Sequence, residues 1–200
     1  MQQVLIANNG LAATKFCLSM VQNLNRPKLL GMATDEDVLC QGLYLSLVDS
    51  FEVIPQGGFS DISTICSIAV KNKCDAVWPG WGHLSENAEL AASLESLGIK
   101  WIGPPSSAMR FLGDKVSAMK AAETAGVPMI PWSGSRGIPS AIRALAECDR
   151  IGYPVMLKSS CCGGGRGIRK ILHSAEVAPA FDQVSRVTGS HGAVFAMQGL

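Results

Sequence analysis

Almost no net charge is carried by this sequence: 17 Lys and Arg stand against 16 Asp and Glu, a balance of +1. Proteins that grip nucleic acid or anionic membrane surfaces use a basic excess, so that balance disfavours both partners and points to a small ligand. No uninterrupted apolar run approaches the roughly 20 residues of a membrane-spanning helix, and Met1-Gln-Gln lacks the positive region that opens a secretory signal. The chain therefore reads as soluble and cytoplasmic. Strand-like Val4 to Ala7 begins almost at once, which suggests a fragment and leaves an organellar address open if a targeting segment lies upstream. The cysteines, at 17, 40, 66, 74, 148, 161 and 162, are odd in number and contain no Cys-x-x-Cys pair, which argues against a disulfide framework and a zinc site. Low-complexity tracts, charge runs and solenoid repeats are also missing. What is present is 48% hydrophobic content over 200 residues, enough for one large or two small cores.

Short apolar runs alternate with helical patterns along the first half. Val4–Ala7, Lys28–Ala33, Phe51–Ile54, Ala76–Trp78 and Lys100–Ile102 predict strands. Between them lie a helix over about 11–24, an acid-started helix at Asp35-Glu36-Asp37, a helix with Ile62, Ile65, Cys66 and Ala69 on one face, and one with Leu90, Leu94 and Leu97 facing the core, capped by Ser85. That rhythm predicts a doubly wound parallel sheet. Asn8-Asn9-Gly10 follows the first strand where a dinucleotide fingerprint would sit, but G-x-G-x-x-G is absent, so the scaffold is Rossmann-like without a dinucleotide. The Asp35–Asp37 trio reads as a solvated helix start rather than a metal site. Pro79-Gly-Trp-Gly-His-Leu-Ser-Glu-Asn87 leaves the carboxyl end of a strand, the side on which open α/β sheets bind ligands.

Gly103-Pro-Pro-Ser106 breaks the pattern and marks the expected domain boundary, dividing residues 1–103 from 104–200. Beyond it, Asp114 caps a helix with Val116 and Met119 pointing inward, Trp132 enters a second core, and Pro139 opens a helix using Ile142, Leu145 and Ala146. Lys115 falls in a helix first turn, a poor place for a cation unless it faces an anion.

Val155–Leu157 then predicts a buried strand delivering Lys158, and Ile168–Ile171 predicts its return. The tip between them carries Gly163, Gly164, Gly165, Arg166 and Gly167. Glycines let phosphate oxygens approach backbone amides, and Arg166 adds charge, so the hairpin reads as a phosphate cover. A Walker loop is excluded because Gly167 is followed by Ile168 and a strand. A helix over 174–187 and a strand at Ala193–Met197 complete a second α/β lobe.

The segment Gly152-Tyr-Pro-Val-Met-Leu-Lys158 with its glycine run resembles the ATP-grasp loop of biotin carboxylases. Ile6-Ala-Asn-Asn-Gly10, Trp78 to Asn87, Gly103-Pro-Pro-Ser106, Gly113-Asp-Lys115 and Pro131-Trp-Ser-Gly134 occur in that family's order. The Asn-Asn and Gly-Trp-Gly-His versions are most similar to the biotin carboxylase domain of eukaryotic-type acetyl-CoA carboxylases. The resemblance implies a Rossmann-like, parallel-sheet pre-ATP-grasp domain followed by the first lobe of an ATP-grasp fold. It implies ATP held by Lys115, Lys158, Gly163, Gly164, Gly165, Arg166 and Gly167, with Trp81 and Gly82 lining a biotin and bicarbonate pocket and His83 structural. It also implies a biotin carrier domain, the remaining carboxylase and carboxyltransferase portions, and self-association as partners.

No paired carboxylates follow the glycine run, and the resemblance implies that the catalytic residues and the Mg2+ ligands lie after Leu200. Cys161-Cys162 replaces residues usual in that loop, and adjacent cysteines stiffen it. Gln198-Gly199 replaces charged residues near the adenine hinge. Another ATP-grasp ligase is the second enzymatic reading, with Gly80–Asn87 weighing against it. A non-catalytic scaffold is the third, supported by the missing carboxylates.

Overall fold

Val4, Leu5 and Ile6 are all buried, because the strand they form is covered on both faces. In the computed structural model, which describes residues 2–82, 84–161 and 165–199, the chain divides into two units after Arg110. The first contains β1 (Gln3–Ile6), α1 (Gly10–Val21), β2 (Lys28–Ala33), α2 (Asp35–Leu39), β3 (Ser50–Val53), α3 (Ile62–Lys71), β4 (Ala76–Trp78), α4 (Ala88–Ser96), β5 (Lys100–Trp101) and most of α5 (Ser106–Gly113). Its five strands are parallel in the order β3-β2-β1-β4-β5, as the alternating pattern predicts.

Side chains alternate across the sheet. Leu5, Leu30, Met32, Val77 and Trp101 meet Ile65 and Ile68 of α3 and Leu90 and Leu94 of α4. Val4, Ile6, Leu29 and Ala76 meet Ala13 and Cys17 of α1 and Tyr44. Tyr44 belongs to a 3-10 turn over Leu43–Ser46 that the periodicity does not announce; its hydroxyl donates to the Met32 carbonyl at 2.8 Å. Burial, with Asp37 nearby, pushes its pKa above the ordinary phenol value.

The second unit contains α6 (Lys115–Thr124), α7 (Ala141–Ile151), β6 (Val155–Ser159), β7 (Ile168–Ile171), α8 (Val177–Thr188) and β8 (Val194–Gln198). Its sheet is antiparallel, in the order β7-β6-β8. Val155, Leu157, Ile171, Val194 and Ala196 pack against Ala144, Cys148 and Ile151 of α7 and Ala180, Phe181 and Val184 of α8.

Several expectations need correction. Asn87, not Ser85, caps α4: its Oδ1 accepts from the Glu89 and Leu90 amides at 3.1 and 2.9 Å, while Ser85 lies in the preceding 3-10 turn. Ser140 caps α7, and that helix buries Ala144, Cys148 and Ile151 while Ile142 is 81% exposed. The buried stripe runs at i, i+4 and i+7 through Ala144, Cys148 and Ile151, so Ile142, Leu145 and Ala146 fall outside it. Leu97 follows the last turn of α4 and is half exposed, and Val116 and Met119 are only half-buried. Trp132 does enter the core of the second unit and bridges to Met197.

Candidate functional site

In the first unit the sheet order places a topological switch between β1 and β4, at whose carboxyl ends open α/β sheets bind ligands. A polar network fastens the segments that leave these strand ends. The Asn8 side-chain amide donates to the carbonyls of Pro79 at 2.7 Å and Trp81 at 3.0 Å. Asn8 Oδ1 accepts from the Asn9 amide at 2.8 Å, and the Asn9 side chain donates to Asp37 at 3.0 and 3.3 Å. Asp37 closes a capping box with Thr34, accepting from its amide and its hydroxyl at 2.9 Å each. Of the acidic trio, then, Asp37 has a structural task, while Asp35 and Glu36 are exposed.

The loop fastened by Asn8 carries Trp81 and Gly82. Trp81 is 71% exposed. Gly80 and Gly82 have φ of +68° and +123°, a region that favours glycine. At Gly80 a β-carbon would stand 2.5 Å from the Asn8 amide nitrogen, so the glycine also makes room for the bond. His83 lies outside the described residues.

In the second unit β6 and β7 form the predicted hairpin. Lys158 pairs with Ile168 on one side and with Phe195 on the other. The Ser159 amide donates to the Gly167 carbonyl at 2.8 Å and closes the hairpin base. Gly165 has φ of +76°, Gly165 and Arg166 are exposed, and Gly167 is buried. Gly163 and Gly164 lie outside the described residues. Lys115 sits half-buried in the first turn of α6, behind Asp114, whose carboxylate accepts from the Ser117 amide at 2.7 Å.

Directly paired residues share a sheet face, so the face of β6 turned away from α7 and α8 carries Met156 and Lys158. Ile168 and Lys170 of β7, and Phe195 and Met197 of β8, lie in register with them. That face combines an apolar strip with two amines, chemistry suited to a flat heterocycle joined to an anion. Sequence reasoning passed over Met156, Ile168 and Met197; the period-2 alternation around Lys158 was the signal that could have found them. Asn8, Asn9 and Asp37 were also missed, since their partners lie as far as 73 positions away in the chain.

Among the described residues no group of three His, Cys, Asp or Glu side chains could hold a metal ion. No metal-dependent step is therefore assigned to these residues.

A parallel α/β unit with a topological switch between β1 and β4, followed by a glycine-tipped antiparallel hairpin, defines an α/β protein of the ATP-grasp class. Comparison with known proteins sharpens this. Residues 1–109 match the biotin carboxylase N-terminal domain and residues 114–197 the ATP-binding domain of the carbamoyl-phosphate synthase L chain. The chain belongs to the biotin carboxylase N-terminal domain family. It is 40% identical over 218 aligned positions to acetyl-CoA carboxylase 1 of Oryza sativa subsp. japonica, covering 94% of this chain and 10% of that protein. Acetyl-CoA carboxylase of Schizosaccharomyces pombe is 37% identical over 217 positions, covering 90% and 10%. The chain thus spans about a tenth of the curated relatives it matches.

Among solved structures, the Campylobacter jejuni biotin carboxylase in its β,γ-ATP complex superposes with a TM-score of 0.89 at 29% identity, covering all of this chain and 45% of that one. The biotin carboxylase domain dimer of Hydrogenobacter thermophilus 2-oxoglutarate carboxylase, in complex with MgADP, ADP and bicarbonate, gives 0.85 at 26% identity over 44% of its chain.

Proposed function

We propose that this chain is the amino-terminal part of an ATP-dependent biotin carboxylase of the acetyl-CoA carboxylase type, and that its own residues supply part of the nucleotide site and one wall of the biotin and bicarbonate pocket. The observation that carries the reading is the β6–β7 hairpin, which presents Lys158 beside the apolar strip of Met156, Ile168 and Met197 and is closed by Gly165–Gly167. In this reading the strip receives the adenine, and Lys158, Lys115 and Arg166 neutralise phosphate charge, with glycine backbone amides completing the cover.

When bound, ATP supplies the phosphoryl group that activates bicarbonate for transfer to a biotin ring nitrogen. Trp81 and Gly82 line the pocket for that ring, which arrives on a carrier domain. The acids that hold Mg2+ and the catalytic residues belong to the remainder of the carboxylase, and the choice of acyl-CoA acceptor belongs to a carboxyltransferase portion.

Calorimetry of MgATP binding to the 200-residue chain, with Lys158→Ala in parallel, tests the reading. Binding in the micromolar range, about −8 kcal/mol, that the substitution removes is the expected result. A folded chain that binds no nucleotide, or binds it equally well without Lys158, overturns the assignment of a nucleotide site to this hairpin.

A further inference from the structure

We infer that Asn8 is a positioning residue for the loop that carries Trp81, and that Asp37 anchors it from beyond the carboxyl end of β2. The inference rests on the reading of Trp81 and Gly82 as pocket wall, but its geometry stands apart from that reading. Asn8 spans the gap between β1 and β4 with both amide hydrogens, one on the Pro79 carbonyl and one on the Trp81 carbonyl. A carboxamide is the side-chain group of this size that can donate twice while accepting once, and the acceptance is used too, by the Asn9 amide.

From Asn9 the network continues to Asp37, which also accepts from the Thr34 amide and hydroxyl. One connected set of hydrogen bonds therefore runs across the carboxyl ends of three neighbouring strands, β4, β1 and β2. Networks of this kind set one geometry and lose it when a member is removed.

On its far side the loop is tied by the Gly82 carbonyl, which accepts from the Ser85 hydroxyl at 2.7 Å and the Ser85 amide at 3.2 Å, and between these two anchors the chain is open. Trp81 and Gly82 are exposed, and both flanking glycines sit at positive φ. Gly80 is part of the same device, since a β-carbon there would push into the Asn8 amide at 2.5 Å and into the Trp78 ring at 2.9 Å. The posture of Trp81 is thus set by a side chain 73 residues earlier rather than by packing around the indole.

The test is nuclear magnetic resonance of the 200-residue chain labelled with 15N-tryptophan, in which four indole signals report Trp78, Trp81, Trp101 and Trp132. Asn8→Ala should move or broaden the Trp81 signal and leave those of Trp101 and Trp132 in place. Asp37→Asn should move the same signal by a smaller amount. Gly80→Ala provides a second route if Asn8→Ala does not fold, and it should disturb Trp81 in the same way. A Trp81 signal unchanged in the folded Asn8 and Gly80 variants overturns the positioning role.

Titration with free biotin separates this claim from the functional reading beneath it. In the unsubstituted chain biotin should shift Trp81, and Asn8→Ala should weaken that response about tenfold while leaving MgATP affinity within about twofold. A biotin response that is the same with and without Asn8 overturns the inference. Absence of any response in the unsubstituted chain overturns the pocket reading, while the Asn8 effect on the Trp81 signal still decides the positioning role.

Discussion

The carboxylate of Asp49 shows how a single residue joins two strands. It accepts from Arg26 at 2.6 and 2.9 Å and from the Leu29 amide at 2.7 Å, and its own amide donates to the Leu29 carbonyl. The Arg26 guanidinium holds this carboxyl below the ordinary carboxylate range. A depressed acid contributes stability above its unfolded value, about 3.9, and loses it as pH falls through the folded value. The thermal midpoint should therefore fall more steeply below about pH 4 in the unsubstituted chain than in Asp49→Asn, which should also be less stable at neutral pH. Parallel acid slopes for the two proteins would contradict the assignment. The same local reasoning explains what was legible at this scale. Lys158 and the glycine run stand out because charge and missing side chains are properties of the residue itself, whereas Asn8 is ordinary until its two carbonyl partners are known.

At the scale of elements, strand positions were readable because apolar runs and turn residues are local signals, and so were the Asp114 cap and the buried faces of α3 and α4, but the cap of α4 and the phase of α7 were not. Ser85 and Asn87 are both good caps by residue type. Which one serves depends on where the 3-10 turn over Leu84–Glu86 ends and α4 begins. Asn87→Ala should cost about 1 kcal/mol in urea unfolding, whereas Ser85→Ala, which removes a hydroxyl that donates to the Gly82 carbonyl, should stay within about 0.5 kcal/mol. Equal effects would restore Ser85 as the cap. α7 carries the same lesson, since Ile142 is a core residue by hydropathy and an exposed one by phase.

Among the described residues each unit has its own core, on both faces of the parallel sheet in the first and on one face of the antiparallel sheet in the second. Leu157 lies fully buried in the latter, so Leu157→Ala should cost about 2–5 kcal/mol. Amide hydrogen exchange should then show protection falling across β6, β7, β8, α7 and α8 before β1, β2 and β4. Uniform loss across both sheets would contradict separate cores. The sequence alone determined the alternation that makes a parallel sheet, the hairpin with its glycine tip and the family motifs in their order, because each of these is written in neighbouring residues. Only the tertiary structure decided which asparagine fastens the Trp81 loop, which of three acids anchors it, and which side chains share a sheet face with Lys158. Those depend on strand order and register, which bring together residues that lie far apart along the chain.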